Sequence, residues 1–171
     1  LAAVQVGSRW GFIDRSGALA VKPRFQEVLD FSEGFAAVKL RSKWGYINQL
    51  GKIVVEPRWQ ETAGFSEGLA AVYFGGPGDP KRKTGYIDFY GNYVIEPSLV
   101  EGSNFSQGLA RVFKFTRTGD DDVEYSSACF FDRSGKCALG AGIDSAQTFV
   151  NGAARVGNQE ERIWDIDARG Q

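Results

Sequence analysis

Few of the residues in this chain have side chains suited to catalysis. There is no histidine among the 171 residues, which excludes a Ser-His-Asp triad, a Cys-His nucleophile pair and a His-ligated zinc site within the chain. Paired carboxylates could still serve a glycosidase. The carboxylates that recur, however, occupy fixed turn positions of a repeated pattern, where they ordinarily cap main-chain amides: Asp14, Asp88, Asp132, Glu33 and Glu67. We therefore expect a structural role for them, no enzyme activity, no cofactor and no metal site.

Two charged clusters of opposite sign interrupt the pattern. The three aspartates at 120–122, with Glu124, could collect calcium, but they lack the oxygen spacing and central glycine of an EF-hand loop, which favours a solvated hairpin tip. The basic run at 81–83 could bind phosphate or nucleic acid, although no phosphate-loop pattern surrounds it. With a net charge of −1, the chain has no overall field to attract nucleic acid, and we expect no nucleic-acid partner.

The two cysteines do not form a C-x-x-C motif. The expected hairpin register places Phe131 opposite Cys137 and Cys129 opposite Leu139, so that the two sulfurs are diagonal neighbours. Diagonal positions lie about 7 Å or more apart, which is too far for easy bridging. We therefore expect two reduced, partly buried thiols.

The chain is organised around one stretch, which runs over residues 44–72 as W-G-Y-I-N-Q-L-G-K-I-V-V-E-P-R-W-Q-E-T-A-G-F-S-E-G-L-A-A-V. Copies begin at positions 10, 44, 84, 128 and 163, spaced 34, 40, 44 and 35 residues apart, so the basic unit is about 34 residues with insertions in two copies. The sequence predicts a single array over 1–171, forming a fragment of a longer protein, with units near 10–43, 44–83, 84–127, 128–162 and a truncated fifth at 163–171. The sequence contains no run of eighteen apolar residues, so it predicts no membrane span.

Each unit is predicted to form three antiparallel strands: the A-A-V segment, the W-G-F-I-D segment, and a third from Ala18 to Val21 that ends at Lys22-Pro23. The D-R-S-G turn between the second and third strands predicts a hairpin with Ile13 opposite Leu19 and Phe12 opposite Ala20. Both faces of such a sheet are apolar, so both must be covered by neighbouring units. The fold is expected to be all-β, an open solenoid-like array; a small β-propeller, with its terminal strands paired, is the alternative.

The segment from the proline to the next A-A-V is expected to be an ordered loop with one helical turn. Its glycines should adopt positive φ before the following strand: Gly34, Gly68, Gly108 and Gly152. The combination W-G-[FY]-I-[DN]-x-x-G, then Pro, then F-S-E-G-[LF]-A-A-V resembles the WG repeat family of bacterial β repeats. The resemblance covers essentially the whole chain and weakens from the third copy onward. It implies an interaction scaffold and supplies no catalytic residues.

Tandem aromatic residues could form a sugar-stacking surface, although repetition at one position favours packing between units. The candidates are Trp10, Trp44, Trp59, Trp164, Tyr46, Tyr73, Tyr86 and Tyr93. If Trp44 is packed, Trp44→Ala should cost about 3 to 5 kcal/mol. As a surface residue, Arg82 should tolerate replacement by Ala.

Three functions fit this sequence: a non-catalytic scaffold for a protein or peptide, a carbohydrate-binding or glycan-processing domain, and a structural spacer. The first is favoured because both insertions interrupt the same strand connection and should project from one edge of neighbouring units. Apolar anchors beside charges are the usual composition of a protein-binding surface. The predicted contact residues are Tyr73, Phe74, Lys81, Arg82, Lys83, Phe113, Phe115, Arg117, Asp120, Asp121, Asp122 and Tyr125.

Overall fold

The computed structural model describes residues 1–76, 79, 81–98, 100–117, 123–139, 143, 145–158 and 162–171, and for 100, 114–117 and 123–127 it describes the main chain. These residues form strands and turns, as the sequence predicts. Short β-branched and aromatic segments separated by glycine turns favour strands over helices.

The strands form five small antiparallel sheets, numbered here in chain order. Sheet 1 contains β1 (Ala2–Val6), β2 (Arg9–Ile13) and β3 (Leu19–Phe25). Sheet 2 contains β4 (Glu27–Val28), β5 (Phe35–Leu40), β6 (Lys43–Asn48) and β7 (Ile53–Trp59). Sheet 3 contains β8 (Glu61–Thr62), β9 (Ala70–Phe74), β10 (Lys83–Ile87) and β11 (Tyr93–Ser98). Sheet 4 contains β12 (Val100–Ser106), β13 (Leu109–Arg117), β14 (Val123–Phe131) and β15 (Cys137–Leu139). Sheet 5 contains β16 (Ser145–Ala146), β17 (Ala154–Gly157) and β18 (Ile163–Ile166).

The array is open. In the described part of the chain β1 pairs with β2 alone and β18 pairs with β17 alone, so no strand pairing joins the first sheet to the last. The expected segment with a helical turn instead contributes a fourth, short strand, such as β4, which pairs with the A-A-V strand. That expectation was wrong because the main chain there satisfies its hydrogen bonds on the free edge of the following strand.

Each inner sheet is covered on both faces, as its two-sided apolar pattern predicts. Ala36 and Val38 of β5 pack with Phe12 of sheet 1, whereas Ala37 between them packs with Val72 of sheet 3. Because successive residues of a strand point to opposite faces, one A-A-V segment contacts both neighbouring sheets. Trp44 is 7% exposed and lies in the core between sheets 2 and 3, so the expected cost of Trp44→Ala follows from its packing.

The third strand of each unit differs from the predicted one. In the first three units it continues through the proline, and in sheet 1 its pairing shifts register, so that Phe12 lies opposite Val21 and Trp10 opposite Phe25. In sheet 2 the same shift places Gly45 opposite a bulge that contains Pro57. Proline is tolerated there because the strand is at the sheet edge and the ladder is interrupted.

Two kinds of turn recur with different partners. In the D-x-x-G turns, Asp14 Oδ1 accepts N–H bonds from Ser16 and Ala18 at 2.8 and 3.0 Å, and Gly17 has φ of 84°. In the S-E-G turns the glycines have the positive φ that was predicted, and the residue before each is left-handed too, with φ of 51° at Glu33. Two successive left-handed residues give the type I′ turn of a tight hairpin.

The S-E-G turns also join successive sheets. Glu33 accepts the N–H groups of Glu67 and Gly68 in the next sheet at 2.8 and 2.9 Å, and Glu67 in turn accepts those of Gln107 and Gly108. The serine hydroxyls act in parallel, since Ser32, Ser66 and Ser106 each donate to a carbonyl of the following unit: those of Phe65, Phe105 and Phe149. This ladder explains why the motif repeats.

A disulfide joins Cys129 and Cys137, with their Cα atoms 5.8 Å apart, so the expectation of reduced thiols was wrong. A bulge between Phe130 and Phe131 places Phe130, not Cys129, opposite Leu139. The altered register brings the two cysteines within bridging distance.

Candidate functional site

Both insertions lie in the connection between the second and third strands of a four-stranded sheet, in the neighbouring sheets 3 and 4. In sheet 4 the insertion lengthens the hairpin, with Phe115 opposite Tyr125 and Arg117 opposite Val123. For these predicted contact residues the structure describes the main chain, and Asp120, Asp121 and Asp122 lie outside the described residues.

Tyr73 and Arg82 of the predicted surface form contacts inside the fold. Arg82 is 4% exposed, its guanidinium lies 4.2 Å from the Tyr73 ring centre, and its Nη1 donates to Glu61 Oε2 at 2.8 Å and to the Gly75 carbonyl at 3.1 Å. Tyr73 Oη donates to the Gly102 carbonyl of sheet 4 at 2.9 Å. Burial raises the pKa of Tyr73 to about 12.

The expectation that Arg82 is a surface residue was therefore wrong. Arg82 lies between two lysines in the sequence, which indicated a solvated basic run. In the structure its side chain turns inward and contacts the Tyr73 ring and the Glu61 carboxylate. Such stacking is a use of arginine that its planar guanidinium allows.

Phe74, Lys81 and Lys83 line one groove at this edge, together with Pro97 and Asp79. Its volume is about 610 Å³, and Gln60 and Gly75 complete the wall. Both lysines are exposed, while Phe74 is half-buried and packs on the core between sheets 2 and 3. The groove thus has an apolar floor and a cationic rim.

Phe113 lies elsewhere. It is half-buried, its ring lies 5.1 Å from the Arg111 guanidinium carbon, and it packs against the core shared by sheets 4 and 5. The structure therefore gathers the first insertion into a groove and leaves Phe113 as a packing residue beside the second.

Sheet 2 contains a related groove that sequence reasoning missed. Leu40, Arg41, Lys43 and Pro57 line it, with Ile53 and Glu56, in a volume of about 500 Å³. The sequence signal was a basic residue immediately before the Trp or Thr of three successive units, at Arg9, Lys43 and Lys83.

The recurring carboxylates accept hydrogen bonds within the fold. Asp14 has a pKa below its ordinary value, chiefly because the Ser16 hydroxyl donates to it and also because main-chain amides do. Asp132 has its pKa lowered in the same way by Ser134. A general acid needs a raised pKa, and the pKa values of Asp14 and Asp132 are shifted in the opposite direction. Within the described ranges, no group of three or more acidic or cysteine side chains could hold a metal ion.

Four of the eight aromatic candidates for sugar stacking are buried, and three more are half-buried. Trp59, Tyr46 and Tyr86 are fully enclosed, and burial raises the pKa of both tyrosines. The Tyr86 hydroxyl donates to the Ser103 carbonyl at 2.7 Å. Trp164, 39% exposed, is the indole most open to solvent. Side chains inside the stack cannot meet a glycan.

Among the described residues, none forms a helix long and apolar enough to cross a membrane. No curated protein matches the sequence significantly. Among solved structures, the computationally designed Ika4 protein is similar, with a TM-score of 0.44 and 13% identity over 80% of this chain and 87% of that one.

The family model of the WG containing repeat matches residues 10–44, 44–76 and 85–114. Together these segments cover more than half of the chain, and they contain the turns, bulges and buried aromatics that build sheets 2 and 3. The chain belongs to the family of proteins with the WG containing repeat.

Proposed function

We propose that this chain is a non-catalytic repeat module that binds a protein or peptide segment. The proposed site lies at the edge where the second and third strands of the four-stranded sheets connect. The observation that carries the proposal is the groove of sheet 3, where Phe74 and Pro97 form an apolar floor and Lys81 and Lys83 form a cationic rim. An apolar anchor site bordered by charge is the usual anatomy of a protein-binding surface.

The groove of sheet 3 is also supported as the binding site because other recurring polar side chains already have partners within the fold. The recurring aspartates cap their own turns, the S-E-G carboxylates bind the next sheet, and Arg82 is buried against Tyr73. By contrast, Lys81 and Lys83 are exposed, and their ammonium groups have no ion pair within the described chain. Both ammonium groups are therefore available to a ligand in the groove.

The carbohydrate alternative depends on exposed aromatic faces, and Trp164 is the one of the eight aromatic candidates that is exposed. A glycan array on the wild-type chain, repeated with Trp164→Ala, tests it. A glycan that binds the parent and not this variant would favour a lectin-like function over peptide binding.

The main experiment compares two double variants as bait. Lys81→Glu with Lys83→Glu reverses the rim of the groove, whereas Lys22→Glu with Lys136→Glu makes the same charge change at two exposed lysines outside it, one in β3 and one just before β15. We expect proteins captured by the parent to be lost with the first bait and retained with the second, when matched circular dichroism melts show both folded. Equal capture by both baits would refute the proposed site, and no capture by any bait would favour the structural spacer.

A further inference from the structure

The groove of sheet 3 and the groove of sheet 2 are equivalent places in consecutive repeats. The groove of sheet 2 is lined by Leu40, the last residue of β5, and by Lys43, the first residue of β6. The groove of sheet 3 is lined in the same way by Phe74, the last residue of β9, and by Lys83, the first residue of β10. A proline of the outer strand completes each floor. The repeat therefore presents the same binding feature twice along one edge.

The rims of the two grooves are predominantly cationic. Arg41 and Lys43 line the first, Lys81 and Lys83 line the second, and all four are exposed. No ion pair within the described chain neutralises them, although nearby cations are paired: Lys39 Nζ lies 2.6 Å from a Glu27 carboxylate oxygen, and Arg82 is bound to Glu61.

Each groove also has one carboxylate in its lining, Glu56 in the first and Asp79 in the second. Asp79 Oδ1 already accepts the main-chain N–H of Lys81 at 2.8 Å. Two carboxylates against four cations leave a local positive excess in a chain whose net charge is −1. Charge complementarity therefore selects an acidic occupant.

The spacing of the grooves limits the shape of that occupant. Packed sheets lie roughly 10 Å apart, so equivalent points on adjacent sheets have about this separation. A polyproline II segment rises about 3.1 Å per residue and completes a turn every three residues, which returns a side chain to the same face after roughly 9 Å. Apolar residues at every third position would reach successive grooves.

We infer that these two grooves form one surface for an acidic peptide in a polyproline II conformation, with an apolar side chain at every third position. This inference rests on the proposed peptide-binding function and assigns its ligand class. Leu40 and Pro57 in the first groove, and Phe74 and Pro97 in the second, suit such apolar side chains. Nucleic-acid bases need open aromatic faces to stack on, and Phe74 is half-buried.

The test measures fluorescence anisotropy with four labelled probes on the whole chain. One peptide repeats Glu-Glu-Leu, a second of equal length repeats Lys-Lys-Leu, a third has the composition of the first with its leucines at adjacent positions, and the fourth is oligothymidylate. We expect binding of the first peptide only, weakened as salt rises. Preference for oligothymidylate, or equal binding of the first and third peptides, would overturn the inference.

Variants then decide whether both grooves take part. Lys43→Gln in the first groove and Lys83→Gln in the second should each weaken the binding of the Glu-Glu-Leu peptide by about three- to fivefold, and the double variant should multiply the losses. Lys22→Gln is the matched control and should leave affinity unchanged. An effect of Lys83→Gln without one of Lys43→Gln would overturn the two-groove surface.

The outcomes separate this inference from the function on which it rests. If charge reversal at Lys81 and Lys83 abolishes capture of a natural partner while no acidic peptide binds, the ligand class is wrong and the binding site stands. If that reversal leaves partner capture unchanged as well, both fail.

Discussion

Replacing Gly45 by alanine tests why the W-G pair recurs in this fold. A Cβ atom at Gly45 would lie 2.5 Å from the carbonyl oxygen of Val55, 2.7 Å from the nitrogen of Pro57 and 2.9 Å from the carbonyl carbon of Glu56. All three are main-chain atoms of the outer strand, so relief requires β7 to move away from β6. Overpacking of this kind costs about 1 to 3 kcal/mol, and we expect Gly45→Ala near the upper end of that range.

Two glycines of the same chain serve as internal controls. At Gly64 the nearest atom to an added Cβ is the Ser32 Cβ at 3.7 Å, and at Gly85 the nearest is a side-chain carbon of Pro97 at 3.0 Å. Urea denaturation followed by circular dichroism should therefore rank Gly64→Ala as the most stable variant, Gly85→Ala as intermediate and Gly45→Ala as the least stable. Equal midpoints for the Gly45 and Gly64 variants would refute the close-approach explanation.

Three further outcomes follow from the contacts. Arg82→Ala removes a buried guanidinium, with its ion pair to the partly exposed Glu61 and its stacking contact, so it should lower the unfolding free energy by about 2 kcal/mol in urea titrations; an unchanged midpoint would mean that the side chain is exposed. Reduction of the Cys129–Cys137 disulfide, which closes a short loop, should cost roughly 2.5 kcal/mol and speed hydrogen exchange in sheet 4, with a double serine variant insensitive to reductant as the control. Asp14 has a pKa below its ordinary value of 3.8, so its contribution to stability is present well above that pH and is lost as the pH falls through the lower folded value. Asp14→Asn keeps the turn, as Asn does in sheet 2, and should reduce the loss of thermal stability between pH 5 and pH 2; the same acid sensitivity in both proteins would contradict this assignment.

The local elements could be read from the sequence because their causes are local. Asp14 bonds to amides two and four residues ahead, and Gly17 supplies the left-handed residue of the same turn. The period, the all-β class and the burial of Trp44 follow from such short-range patterns repeated along the chain.

The site was only partly predictable, because some of its features depend on contacts between residues far apart in the sequence. An insertion at a strand connection is visible in the sequence, and it does lead to the groove of Phe74, Lys81 and Lys83. That Arg82 turns inward, and that a second groove lies beside Pro57, depend on which strands approach each other in space. No local pattern determines those approaches.

Glu33 and Asp14 show where the sequence ceases to decide. Both are turn carboxylates at fixed repeat positions, yet Asp14 caps its own turn whereas Glu33 binds amides 34 and 35 residues away in the next sheet. The sequence by itself determined that the chain repeats, that its units are strands, and where each turn lies, since these depend on residues a few positions apart. The tertiary structure alone decided the bulge opposite Gly45, the disulfide at Cys129 and the ladder at Glu33, because each requires the relative position of strands that only packing brings together.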